Sequence, residues 1–300
     1  MRASARRRSA ASLSTKRGAR RAATGERRVL ESATPVPTSS RQPLQTVVKA
    51  LATLRLFSVE REWLGVREIG RLLELNSATV HNLLRTLAGS GLVEQHPETK
   101  KYRLGLGLVK LAGTKLAQLD VVTAASGPMK ALMEKTRETI TLSVLYGDDL
   151  LYLAKLESPQ PVRVASRIGG GAPIHASANG KSLLAFQPEG DRERLLAPPL
   201  RRFTSETVTD ARKLRAELRQ IQAQDYAVDF AGYIADVHAV AAPIRDATGL
   251  VVASIGIVAP AARLPAGKVK QFAALARTTA ASISTALGYT TTARRWRASA

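Results

Sequence analysis

Between residues 44 and 105 the apolar positions keep a helical period three times and then change to strand alternation. Leu44, Val47, Leu51, Leu54 and Phe57 recur at three- and four-residue spacing and predict an amphipathic helix. A second short helix is expected in VREIGRLLEL, with Ile69, Leu72 and Leu73 inward. The third lies in "NSATVHNLLRTLAGSG". Asn76 or Ser77 can cap it, and Val80, Leu83, Leu84 and Leu87 fall at i, i+3, i+4 and i+7. Its opposite face offers Ser77, Ala78, His81, Asn82 and Arg85, and Gly89 and Gly91 end it. "LVEQHPETKKYRLG" then predicts strand, turn, strand, with Lys100, Lys101 and Arg103 on the tip and return strand. Three helices followed by a basic hairpin is the winged helix-turn-helix order, in which the third helix enters the major groove and the hairpin reaches the backbone.

Residues 104–119 predict a helix joining two domains, with Leu108, Leu111, Ala112, Leu116 and Leu119 on one side. An apolar helix outside either core points to a partner subunit. Beyond residue 121 paired strands alternate with helices. A helix is expected over 121–136, and "ITLSVLYGDDLLYLAKLE" predicts a hairpin turning at Gly147–Asp149. "VRVASRI" (162–168) is a further strand candidate, and helices are expected within 179–187, 190–197 and 210–224. "VHAVAAPIRDATGLVVASIGIVA" predicts strand, turn near Asp246–Gly249, strand. A last helix carries Val269, Phe272, Ala276, Ala280, Ile283 and Leu287 on one stripe. The fold class is therefore α+β, with helices flanking one antiparallel sheet.

Charge changes the picture at the ends. Forty-five Lys and Arg stand against 24 Asp and Glu, a net +21 that attracts polyanions. Residues 1–43 hold eleven basic and two acidic groups and almost no large apolar side chains. They are expected to form a disordered basic arm, a composition shared with transit peptides. Residues 290–300 read as a second basic tail. No apolar run is long enough to span a membrane, and the absence of cysteine excludes disulfides and thiolate metal sites and fits a reducing cytoplasm.

No catalytic constellation emerges. "ASANGKS" ends like a phosphate-binding loop, but His175 stands where that loop needs glycine. His81, His96, His175 and His238 show no paired metal-ligand spacing, Ser177 and Ser182 have no nucleophile-elbow frame, and Asp148–Asp149 suit a turn. The chain is expected to be no enzyme and to need no cofactor or metal. Against DNA binding stands the alternative of a small-molecule-binding signalling protein whose winged helix meets other proteins.

Three stretches carry a family resemblance. "SATVHNLLRTLAGSGLVEQHPETKKYRLGLGL", "RIGGGAPIHASANGKSLLA" (167–185) and "YAVDFAGYIADVHAVAAPIRDATGLVVASIGI" (226–257) resemble, in order and spacing, the isocitrate lyase regulator (IclR) family of bacterial transcription factors. The resemblance implies a winged helix-turn-helix over 44–105, a linker helix over 106–120 and a GAF-like effector domain over 121–289. It implies a homodimer or homotetramer that binds palindromic double-stranded DNA as repressor or activator, controlled by a small carboxylate or aromatic acid. By position, Ser77, Thr79, His81, Asn82 and Arg85 match the family's recognition surface, and Lys100, Lys101 and Arg103 its wing. Val164, Ala178, Asn179, Asp229, Val237, Ala239 and Gly256 match its effector pocket, to which Gly170 and His175 are expected to add polar contacts. The chain departs from the family pattern at several positions: Asn82 stands for arginine, Phe230, Ala231 and Gly232 for acidic residues, Asp236 for glycine, and Ala239, Gly256 and Val258 for small polar groups on the pocket strands.

Overall fold

The computed structural model describes residues 43–290 apart from Ala165 and Pro198. Apart from Pro43 and Thr290, the expected basic arm and tail lie outside these residues. The chain divides into two compact units between Lys115 and Leu116.

The first unit holds α1 (Gln45–Arg55), α2 (Val66–Leu73), α3 (Ser77–Gly89), and a hairpin of β1 (Val93–Gln95) and β2 (Tyr102–Leu104). Its core gathers Phe57, Leu64, Ile69, Val80, Leu84, Leu87, Val93 and Tyr102. The expected stripe of α1 is corrected. Leu54 and Phe57 turn inward as expected, but Leu44, Val47 and Leu51 are exposed, and Ala50 and Thr53 complete the inward side. Apolar groups on two sides of one helix let both settings satisfy the period, and only packing chooses between them. Asn76 caps α3, its Oδ1 accepting from Thr79 N at 2.8 Å. Asn76→Ala is expected to lower the stability of this unit by about 1 kcal/mol in urea unfolding followed by far-ultraviolet circular dichroism.

The exit of α3 meets the helix that follows the hairpin, α4 (Leu106–Ala117), through glycines. Gly91 turns with φ +72°, Gly107 N donates to Gly91 O at 2.9 Å, and Gly105 N donates to Leu92 O at 2.9 Å. A Cβ on Gly105 or Gly107 would stand 2.3 or 2.6 Å from Gly91 O, so only glycine admits this approach. No residue of α4 is buried, and Leu106, Val109 and Leu111 are exposed. The expected single stripe stops short: α4 ends at Ala117, and Leu119 is the N-cap of the next helix.

The second unit is built on an antiparallel sheet of order β4-β3-β7-β6-β5. Its strands are β3 (Thr139–Tyr146), β4 (Asp149–Leu156), β5 (Ala227–Phe230), β6 (Val237–Arg245) and β7 (Val251–Pro260). Both expected hairpins form, with Gly147 and Gly249 supplying positive φ in the turns. One face carries Ile140, Leu142, Val240, Ile255 and Ile257 and packs on α5 (Asp120–Thr136) and α9 (Val269–Ala286). The other face supports α6 (Ala178–Leu184) and α8 (Ala211–Gln224), with α7 (Glu189–Leu195) between them in sequence. The strand expected over 162–168 is absent among the described residues there. The following glycines meet the β4 backbone, through Gly169 N to Tyr152 O and Tyr152 N to Gly170 O, each 2.9 Å, and from within the segment Ser166 O accepts from the Lys155 ammonium at 2.7 Å. A β-branched run with no ladder partner does not become a strand.

Candidate functional site

Two sets of side chains stand out, one in each unit. In α3, Val80, Leu83, Leu84 and Leu87 are buried, which turns Ser77, His81, Asn82 and Arg85 outward and exposed, with Thr79 half-buried. The hairpin tip is organised by His96, whose Nδ1 accepts from Glu98 N at 3.2 Å and Thr99 N at 3.3 Å. Lys100 takes a left-handed conformation there, φ +56°, and both Lys100 and Lys101 are exposed. Arg103 has a different setting. Its guanidinium pairs with Glu94, reaches Glu62 at 3.3 Å and lies 4.7 Å from the Trp63 ring centroid. Two carboxylates thus neutralise a cation that the sequence pattern groups with Lys100 and Lys101, which make no ion pair among the described residues.

In the second unit, the small residues of one sheet face leave room for α6. Ala178, Ala239 and Ala241 pack together against Val258. Beside them the buried Asn179 amide is held on all sides. Its Nδ2 donates to Ser143 Oγ at 2.9 Å and Ser254 O at 3.4 Å, and its Oδ1 accepts from Thr141 Oγ1 at 3.3 Å. The amide lies directly over Gly256, where a Cβ would come within 2.1 Å of Asn179 Oδ1. Ser177 caps α6 through Gly180 N, so the near-phosphate-loop stretch is a capped helix start.

Asp229 is opposite Ala239 in the β5–β6 register and is buried. Burial pushes its carboxyl up to about 6, against the pull of Lys181 and the amides of Gly232 and Tyr233. Its Oδ1 accepts from Gly232 N at 2.6 Å. Lys181 is itself buried and pairs with Glu217. Tyr152 is pushed up to about 12 by burial first, then by Tyr233 and Asp229.

Of the nine residues expected at an effector pocket, Ala178, Asn179, Asp229, Ala239 and Gly256 are thus gathered on this face. Val237 starts β6 opposite Pro260, and Gly170 lies at the β4 edge. Val164 is half-buried in irregular chain. His175 bonds Arg201 O at 2.9 Å and leans on Phe203, with burial holding its imidazole below the usual value. Asp236, where the family has glycine, adopts φ +59°, the conformation that favours glycine.

Sequence reasoning missed Thr141, Ser143, Tyr152, Lys181, Glu217 and Ser254. A signal was present for three of them: Thr141 and Ser143 alternate with Ile140 and Leu142, and Ser254 with Ala253 and Ile255, marking a polar face within strands that look uniformly apolar. Among the described residues no group of three His, Cys, Asp or Glu is placed to hold a metal ion, and no helix is long and apolar enough to cross a membrane.

Comparison with known proteins decides the family. Residues 46–97 match the IclR helix-turn-helix domain, and residues 113–285 match the bacterial transcriptional regulator IclR C-terminal domain. The chain belongs to the IclR family. It is 31% identical over 247 residues to the HTH-type transcriptional regulator KdgR of Escherichia coli K12, covering 82% of this chain and 94% of that one. XynR of the same organism is 32% identical, covering 82% and 98%. Among solved structures, an IclR homologue of Microbacterium hydrocarbonoxydans complexed with 4-hydroxybenzoate superposes with TM-score 0.73 at 30% identity, over 81% and 98% of the two chains. Thermotoga maritima IclR gives 0.67 at 28% identity, over 82% and 99%. IclR-family relatives are named as transcriptional regulators, not enzymes, and this chain is a transcriptional regulator with a helix-turn-helix DNA-binding domain.

Proposed function

We propose that this regulator answers to a small organic acid, carboxylate or aromatic, bound in residues 121–289, and that the acid alters the grip of residues 44–105 on a palindromic duplex. The observation that carries the DNA half is the outward face of α3, where Ser77, His81, Asn82 and Arg85 are exposed while the opposite face is core. Arg85 and the exposed Lys100 and Lys101 neutralise phosphates and release counterions, and Asn82 suits an adenine edge. Arg103, already paired with Glu94 and Glu62, stiffens the hairpin more than it adds free charge.

The acid is assigned to the patch formed by Ala178, Asn179, Asp229, Ala239 and Gly256. Support comes from their convergence where the start of α6 meets the sheet and from the relative that is complexed with 4-hydroxybenzoate. A homodimer or homotetramer is assigned on the exposed apolar groups of α1 and α4, Val47, Leu51, Leu106 and Val109, which a second copy would cover. A ligand shifts DNA affinity only through a difference in its affinity for two arrangements of the paired heads.

The test is fluorescence anisotropy on a palindromic duplex selected from random sequence, across a salt series, with and without 4-hydroxybenzoate. The double variant Arg85→Ala/Lys101→Ala is expected to bind about tenfold more weakly and to lose about two units of salt slope. Wild-type affinity that ignores salt, or a double variant that binds like wild type, would overturn the DNA reading. Indifference to every small acid would overturn the effector reading alone.

A further inference from the structure

A cavity of about 460 Å³ lies in the second unit, lined by none of the residues matched to the effector pocket. It exists because β5 is short. The β5–β6 register covers only His238 to Ala241, so β6 runs on through Ala242, Pro243, Ile244 and Arg245 without that neighbour. Pro243 has no N–H to strand in this open stretch. One wall is α9, whose Ala274, Arg277, Thr278 and Ala281 recur at i, i+3, i+4 and i+7 and so share one face. The alanines keep that wall low.

The charges in the cavity are uneven. Arg245 is largely buried, and its guanidinium pairs with Asp225 at 2.6 Å. Its Cζ lies 4.9 Å from the Phe186 ring centroid and 6.0 Å from that of Tyr289, which also lines the cavity. Arg277 is exposed and makes no ion pair among the described residues. With Arg245 balanced by Asp225, the described residues of the lining keep one positive charge. The lining also offers the Thr278 hydroxyl beside that charge, the aromatic ring of Tyr289 and four alanine methyl groups. The volume is within the range of small-molecule sites.

We propose that this cavity is a second small-molecule site, separate from the α6 face, and that it takes a small aromatic monocarboxylate. The carboxylate meets Arg277 and Thr278, and the ring lies along Tyr289 and the alanines of α9. A dianion such as phosphate fits worse, because among the described residues of the lining one guanidinium is uncommitted and the Asp225 carboxylate stands nearby.

The experiment is photolabelling of the full chain with 4-azidobenzoate, followed by peptide mapping by mass spectrometry. Adducts are expected on peptides carrying residues 242–245 or 274–289. Arg277→Ala should raise the concentration for half-labelling of those peptides at least tenfold. Ala281→Trp should abolish their labelling by filling the space. Both positions are exposed, so both variants should melt like wild type, which circular dichroism checks. Inorganic phosphate at the same concentration should not compete. Labelling that both substitutions leave unchanged, or that phosphate suppresses, would overturn the proposal. Adducts confined to 139–185 or 227–241 would overturn it too, while leaving the effector site under α6 standing.

Discussion

Gly256→Ala is expected to cost about 3 kcal/mol, although it adds a single methyl group to an alanine-rich face. The added Cβ would stand 2.1 Å from Asn179 Oδ1 and 2.8 Å from its Cγ. Asn179 cannot step aside freely, because Thr141, Ser143 and the Ser254 carbonyl hold its amide from below. Moving it would strand buried polar groups, and staying would force overlap, so either route falls at the high end of overpacking costs. Asn179→Ala alone should cost about 2 kcal/mol for the lost hydrogen bonds. In that background Gly256→Ala should add less than about 1 kcal/mol, since the clash has gone, leaving a coupling near 2 kcal/mol. Urea unfolding followed by tyrosine circular dichroism reads this, because five of the six tyrosines lie beyond residue 140. Additive losses would show that Asn179 does not sit on Gly256.

Asp229→Asn is expected to stabilise the protein at neutral pH. Burial raises the Asp229 carboxyl from 3.8 to about 6, so the folded chain holds this proton where the unfolded chain has released it. The stability linked to that proton is fully present below pH 4 and is lost as the pH rises through 6. At 1.36 kcal/mol per unit the loss reaches at most about 3 kcal/mol. Asparagine keeps an oxygen that can accept from Gly232 N and has no charge to bury, and Lys181 retains Glu217 as its counter-ion. Thermal melts should therefore coincide for the two proteins near pH 4 and diverge above it, the variant gaining about 2 kcal/mol by pH 8. A constant difference across that range would remove Asp229 as the source.

Much of this fold is legible in the chain because local signals agree with packing. Asn76, the stripe from Val80 to Leu87 and Gly91 all place α3, and the turns at Gly147 and Gly249 place two hairpins. The failures are positions where local signals are silent about partners. Val162 to Ile168 has strand composition, yet most of it faces no neighbouring strand. Leu44, Val47 and Leu51 follow a helical period but lie outside the core of their own chain. The polar bed under Asn179 shows in the chain only as serine and threonine alternating with apolar residues, a pattern that marks a polar face without naming the side chain that will meet it. Lys181 is harder still: its sequence neighbours give no hint that Glu217, 36 residues on, would meet it.

The glycine contact between Gly91, Gly105 and Gly107 has a practical corollary for anyone altering the connector. The first turn of α4 is spliced to the exit of α3 by backbone atoms alone, with no side chain that could yield. Torsional slack must therefore be sought downstream of Gly107. A residue inserted near Lys110 advances the remainder of α4 by about 1.5 Å and rotates it by about 100°, while the spliced turn keeps its geometry. Length and phase of the connector can thus be varied without touching the surface that would meet DNA.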